Sequence, residues 1–147
     1  MDKREIVTLL NETLVDKGFK KKGDFWVDNR GEIVKMVNLQ KSNFGNRYYV
    51  NYGYILKSIP LKNEVMHVYN RLTSADARKR GKIERLLNLE TEISDDERIA
   101  QLKDVLIKNL LTKIQSINSE EDIFNELKNR PNLNAVPVSV KKYFKLE

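Results

Sequence analysis

The chain has 147 residues, 40% of them hydrophobic and 33% charged, with a net charge of +6 and no cysteine. That length suits one domain with one core, and the composition is polar without being that of a disordered chain. The absence of cysteine rules out disulfides, thiolate zinc sites and a cysteine nucleophile, and it fits a reducing, cytoplasmic setting. No run approaches the about 18 apolar residues that a membrane span requires, so no membrane partner is expected. The first ten residues lack a signal-peptide core.

Ile6, Leu9, Leu10 and Leu14 recur at helical spacing before Gly18, which predicts an amphipathic helix over Lys3 to Lys17 with a C-terminal glycine. The period then changes. Phe25 to Val27 reads as a strand, Asp28 to Gly31 as a turn, and Ile33 to Lys41 as a second strand. Asn43 to Asn46 forms the next turn, and Tyr48 to Leu56 the third strand. Beyond Pro60, Val65 to Leu72 alternates as a fourth strand.

The rest is helical. Ser74 to Leu89 is ambiguous and is read as a helix interrupted at Gly81. Ser94 and Glu97 have capping-box spacing, and Ile99, Leu102, Leu106, Leu110 and Ile114 carry that helix to about Gln115. Ser119 opens a shorter helix that Pro131 ends, and Ser139 to Phe144 forms a last turn or two. Neither a repeat nor a linker divides the chain, so residues 1–147 count as one domain; Leu146-Glu147 reads as a vector-derived scar. The fold class is α+β: a four-stranded, mainly antiparallel sheet preceded by a helix and followed by helices packed on one face.

Alternation assigns the sheet two faces. With Asn43 to Asn46 as a loop, Asn38 lies opposite Asn51 and Gln40 opposite Tyr49. With Asn29 to Gly31 as the first loop, Asp28 pairs with Glu32. The core face then collects Phe25, Val27, Ile33, Val37, Leu39, Val50, Tyr52, Tyr54 and Leu56. The second face has an apolar end of Trp26, Val34, Met36 and Ile55, and a polar end of Asn38, Gln40, Tyr49 and Asn51. His67, Tyr69 and Arg71 of the fourth strand join it. One guanidinium among amides and phenols suits an anionic or peptide-like ligand, and a solvated face is the plainer alternative.

Catalytic chemistry finds no support in this pattern. His67 is the lone histidine, which excludes a multi-histidine metal site. Asp95, Asp96 and Glu97, like Glu120, Glu121 and Asp122, sit in first turns, where the helix dipole favours negative charge. Neither a phosphate-binding glycine loop nor a nucleophile elbow occurs. No catalytic residue, metal ligand or cofactor is assigned.

The charge is uneven. Met1 to Arg85 carries 18 Lys/Arg against 10 Asp/Glu, and Ile33 to Asn63 has five basic residues and no acidic one. Lys20, Lys21 and Lys22, then Lys41 and Arg47, then Arg78, Lys79 and Arg80 make basic clusters with aromatic neighbours, a pattern that suits nucleic acid or another polyanion. The recognition signature of an RNA-binding sheet is absent. The leading expectation is a non-enzymatic protein-interaction module, docking a partner or a second copy through the Trp26 end of the sheet. An immunity-like role is one version of it, by analogy of size and fold.

The stretches GFKKKGDFW, VNLQKSNFG and YYVNYGY carry a resemblance. Through Gly18, Phe19, Lys22, Phe25, Asn38, Leu39, Gln40, Lys41, Ser42, Asn51 and Gly53, the segment from Gly18 to Tyr54 resembles a bacterial domain-of-unknown-function family numbered four-three-zero-four. The resemblance implies a small bacterial α+β domain and brings no catalytic residue, substrate or cofactor.

Overall fold

A computed structural model describes residues 1–146. The chain opens with helix α1 (Lys3–Leu14), continued by a 3-10 turn over Val15–Lys17 that ends at Gly18 with φ +99°. Asp2 caps α1 through the Arg4 amide, and Glu5 returns the contact to the Asp2 amide. This capping box lies in the charged first residues, where the sequence reading did not look for one.

Five strands follow: β1 (Lys20–Lys22), β2 (Phe25–Asp28), β3 (Ile33–Lys41), β4 (Tyr48–Leu56) and β5 (Val68–Arg71). They pair antiparallel in sequence order. The expected sheet had four strands; the fifth is β1. Its three exposed lysines carry no apolar alternation, so nothing in their pattern marks a strand. Charged lysines on an edge strand also discourage further pairing with other chains.

The β3–β4 register is the expected one, with Asn38 opposite Asn51 and Gln40 opposite Tyr49. The β2–β3 register is not. Asp28 pairs with Lys35 rather than Glu32, which places Trp26 opposite Val37 and Val27 opposite Met36. Trp26 therefore lies on the core face, fully buried, and its Nε1–H donates to Asn11 Oδ1 of α1 at 2.8 Å. Phe25 and Val27 take the other face. A slip of an odd number of residues exchanges faces, and the largest apolar side chain selects the buried one. The longer loop is held by Arg30, which folds back on Asp28 (Nε to Oδ1, 2.9 Å) and donates to the Lys17 carbonyl at 3.0 Å. Any Cβ at Gly18 would collide with that guanidinium.

The helices are α2 (Ala77–Leu87), α3 (Asp95–Val105), α4 (Thr112–Gln115), α5 (Glu120–Lys128) and α6 (Val138–Phe144). Helix α2 runs unbroken through Gly81, because the flanking apolar residues Ile83, Leu86 and Leu87 are buried and hold it. Helices α3 and α4 are joined by a π-helical segment, Leu106–Leu111, whose wide turn is closed by the Thr112 amide on the Ile107 carbonyl. Ser94 caps α3 through the Glu97 amide. The Glu97 carboxylate accepts from Gln101 Nε2 at 2.9 Å, so the expected reciprocal box is half formed. One buried cluster joins the β-face residues Trp26, Ile33, Val37, Val50, Tyr52 and Leu56 to Ile6, Leu10, Leu102, Leu106, Leu110, Ile123 and Val140 from the helices. Phe25, Val27, Val34, Met36 and Ile55, on the other face, lie outside it. That face is where the polar side chains gather.

Candidate anion-binding site

Arg71 is the hub of the polar end. It lies opposite Asn51 across the β4–β5 ladder, with Gln40 and Asn38 on β3 beyond. Its Nε–H donates to Asn51 Oδ1 at 3.0 Å, and its Nη2 donates to Gln40 Oε1 at 3.1 Å and Tyr69 Oη at 3.3 Å. The guanidinium carbon stands 4.0 Å from the centroid of the Tyr49 ring, a cation–π stack. Asn51 is 2% exposed, and its amide donates to Asn38 Oδ1 at 3.2 Å and Gln40 Oε1 at 2.8 Å. Asn38 in turn donates to the Asp24 carbonyl at 3.3 Å. Every bond in this chain fixes the next donor, so Arg71 is oriented before any ligand arrives. Its Nη1 donates to nothing among the described residues.

Strand β5 ends at Arg71, and the chain returns to the β4 edge only at Asn88, which bridges Arg47. Between these two points lies a cavity of about 530 Å³, whose walls include Arg47, Tyr48, Tyr49, Arg71 and Thr73 on one side and Gly81, Glu84, Arg85 and Asn88 on the other. Gly81, Glu84 and Arg85 fall at helical spacing, which puts them on one face of α2, and Asn88 follows in extended backbone just past the helix end. A Cβ at Gly81 would meet nothing within 4 Å, so the glycine leaves this bay open rather than relieving a clash.

Three of the lining groups are arginines and one is a glutamate. Among the described residues no carboxylate approaches Arg47, Arg71 or Arg85 within ion-pair distance. Arg47 donates only to the Phe44 carbonyl, at 3.2 Å. The contrast is a cavity of about 260 Å³ around Asp28, Arg30, Lys35 and Asn118. There Arg30 is already neutralised by Asp28, whose carboxyl is held below its ordinary value first by that hydrogen bond. Lys35 is pushed below the ordinary lysine range by burial, and its ammonium donates to Asn118 Oδ1 at 2.6 Å. The larger cavity gathers three arginines, none of them ion-paired among the described residues.

A family model described as a domain of unknown function (DUF4304) matches residues 10–127. The chain belongs to that family. The match runs well past the Gly18 to Tyr54 segment in which the resemblance was seen, and so covers both walls of the cavity, the DUF4304 strands and α2 alike. No match is found among curated proteins or among solved structures.

The structure brings together six of the seven residues proposed from sequence as a binding cluster, Gln40, Tyr49, Asn51, Tyr69 and Arg71, with Asn38 behind them. His67 stands apart. It is 1% exposed, its Nδ1 accepts the Leu56 amide at 2.9 Å, and its Nε2 faces the Pro60 carbonyl at 3.2 Å. It clasps the β4–β5 connection. The proposed apolar end loses Trp26 to the core, while Val34 pairs with Ile55 and Met36 with Gly53. Met66 reaches over Gly53, and Met36 is 9% exposed, while Val34 and Ile55 remain half-buried on that face.

Of the basic residues, Lys20, Lys21 and Lys22 are exposed on β1, with the Lys21 ammonium 5.6 Å from the Trp26 ring. Lys41 is exposed beside the hairpin, and Arg78, Lys79 and Arg80 are exposed in the first turn of α2. Only Arg47 of this set lines the cavity. Sequence reading missed Arg85, Glu84 and Tyr48 as cavity residues. The 3-4-7 spacing from Gly81 to Asn88 was the available signal for α2, but the bridge that brings it to Arg47 spans 41 positions in sequence and leaves no local trace. Among the described residues no group of three or more His, Asp or Glu is placed to hold a metal.

Proposed function

We propose that the protein is a non-enzymatic interaction domain that holds an anionic group of a partner protein in the cavity between β4, β5 and α2. One observation carries this reading: three arginines line one cavity with no carboxylate paired to any of them among the described residues. Three guanidinium groups lining one cavity leave it with an excess of positive charge, which an incoming anion offsets. Arg71 supports it further, because its orientation is set by groups that are all neutral. A stacked, hydrogen-bonded guanidinium keeps its charge while losing little freedom on binding.

The test is an array of short acidic peptides, containing Asp, Glu or phosphorylated residues, read against the intact protein and the Arg71→Lys and Arg85→Gln variants. Binding that is lost in both variants at an unchanged melting temperature supports the reading. A lower melting temperature with no anion binding in any form of the protein would make Arg71 a purely structural tie between strands.

A second reading, contact with nucleic acid or another polyanion, draws on the first turn of α2. Arg78, Lys79 and Arg80 sit there with no acidic residue beyond the capping Asp76, against the helix dipole. Together with the exposed β1 lysines they offer an anion-seeking surface. Binding to single-stranded RNA that falls steeply with salt, and more gently after Lys20, Lys21 and Lys22 are changed to Gln, would favour this reading.

A further inference from the structure

We infer that the anion held in the arginine-lined cavity is a phosphate monoester, carried on a phosphorylated segment of the partner. The inference rests on the anion-site reading above and narrows it by charge and donor count. Arg47, Arg71 and Arg85 set against Glu84 leave the cavity at +2. A single carboxylate would satisfy half of that charge; a phosphate monoester near neutral pH carries about −1.5 to −2 and satisfies all of it. It also offers three strong acceptor oxygens, one for each guanidinium.

The donors approach from separate elements. Arg47 immediately precedes β4, Arg71 ends β5 and Arg85 belongs to α2, so the three line the cavity from separate elements, a placement that suits a compact tetrahedral group better than an extended one. Arg71 Nη1 makes no hydrogen bond among the described residues, while Asn51, Gln40 and Tyr69 hold its other nitrogens. Arginine clusters of this composition are the usual means of reading a phosphorylated side chain. The volume, about 530 Å³, is room for the phosphate and the side chain that bears it. Gly81 keeps the α2 wall free of any side chain at the point where the bearing segment would enter. Glu84, the one carboxylate in the lining, forms no ion pair among the described residues, and its charge is already counted in the +2.

The experiment measures fluorescence-polarisation binding of a labelled peptide carrying a central phosphoserine. The same peptide with Glu or unmodified Ser in its place is measured alongside, and glycerol 1-phosphate serves as a small competitor. The phosphopeptide is expected to bind at least about tenfold more tightly than the Glu peptide, because a second charge and a third acceptor are in play. Its affinity should fall about tenfold from pH 7.5 to pH 5.0, as the phosphate takes up its second proton near pH 6. Arg71→Lys should lose the phosphopeptide preference, and Gly81→Leu should block binding while remaining helical, since leucine is a good helix former. Melting curves on both variants report whether they fold.

Equal binding of the Glu and phosphoserine peptides with no pH dependence would overturn the phosphate assignment and leave the anion site standing. Absence of binding by every anionic peptide and by glycerol 1-phosphate would overturn both. Competition by glycerol 1-phosphate at the affinity of the peptide would keep the phosphate and overturn the phosphorylated partner, assigning the site to a free small phosphate.

Discussion

Arg98 gives the sharpest test of how this structure is held together. It is 2% exposed, and its Nη1 donates to the carbonyls of Arg85, Leu86 and Asn88 at 3.0, 2.7 and 3.1 Å, while Nη2 donates to Thr91 at 2.6 Å. The last carbonyls of a helix have no partner within it, so one buried cation both satisfies the end of α2 and sits at its negative pole. Arg98→Met keeps the stem and removes the donors. The Leu86 and Thr91 carbonyls then lose their partner at about 1–2 kcal/mol each, while those of Arg85 and Asn88 still accept from the Asn88 and Thr91 amides, and the dipole contact loses about 0.5–1 kcal/mol. The sum is about 2.5–5 kcal/mol, and at about 2–4 °C per kcal/mol for a chain of this size the melting temperature should drop by about 5–20 °C. Urea unfolding followed by far-UV dichroism measures the loss directly, and Arg98→Lys should recover only a minor part, because one ammonium cannot span four carbonyls. A loss below about 1 kcal/mol would show that water serves those carbonyls equally well. The end of α2 also carries Arg85 and Asn88, so Arg98→Met should weaken anion binding through their displacement.

Three further outcomes are expected. Gly81→Ala should stabilise the protein by about 0.5–1 kcal/mol in the same urea assay, because the added methyl meets open space in a helix interior; a destabilised variant would mean that the helix needs the glycine. Trp26→Phe should cost about 2–3 kcal/mol through the lost indole bond to Asn11 and the volume left behind, with secondary structure intact; an unaffected stability would return Trp26 to the surface. Asp28 has a carboxyl held below its ordinary 3.8, so its stabilisation is complete above that value and disappears as pH falls through the lower folded one. Asp28→Asn should therefore cost under about 1 kcal/mol at pH 7, Arg30 being largely exposed, and flatten the stability curve below pH 4; an acid limb as steep as the native one would contradict it.

Much of this molecule was legible in the chain itself. Ile6, Leu9, Leu10 and Leu14 announced α1, and the alternating runs Ile33–Lys41 and Tyr48–Leu56 announced the central hairpin with its register, because the four-residue turn between them leaves one pairing that keeps apolar side chains on one face. The cluster around Arg71 followed from that register together with the antiparallel pairing of the strand that carries Arg71. Local pattern failed where the deciding partner was distant. Nothing in Lys20–Lys22 says strand, since an exposed edge strand needs no apolar side chains and takes its pairing from β2. The loop after Asp28 could have closed in three residues by turn chemistry, yet Asn11 on α1 and the core below draw Trp26 inward and lengthen it. His67 alternates like a surface residue but is claimed by the backbone of Leu56 and Pro60. The cavity exists only because Asn88 returns to pair with Arg47, closing α2 over the open end of β4. Periodicity determines which side of a strand or helix is apolar; which distant group meets it is decided only when the whole core has packed.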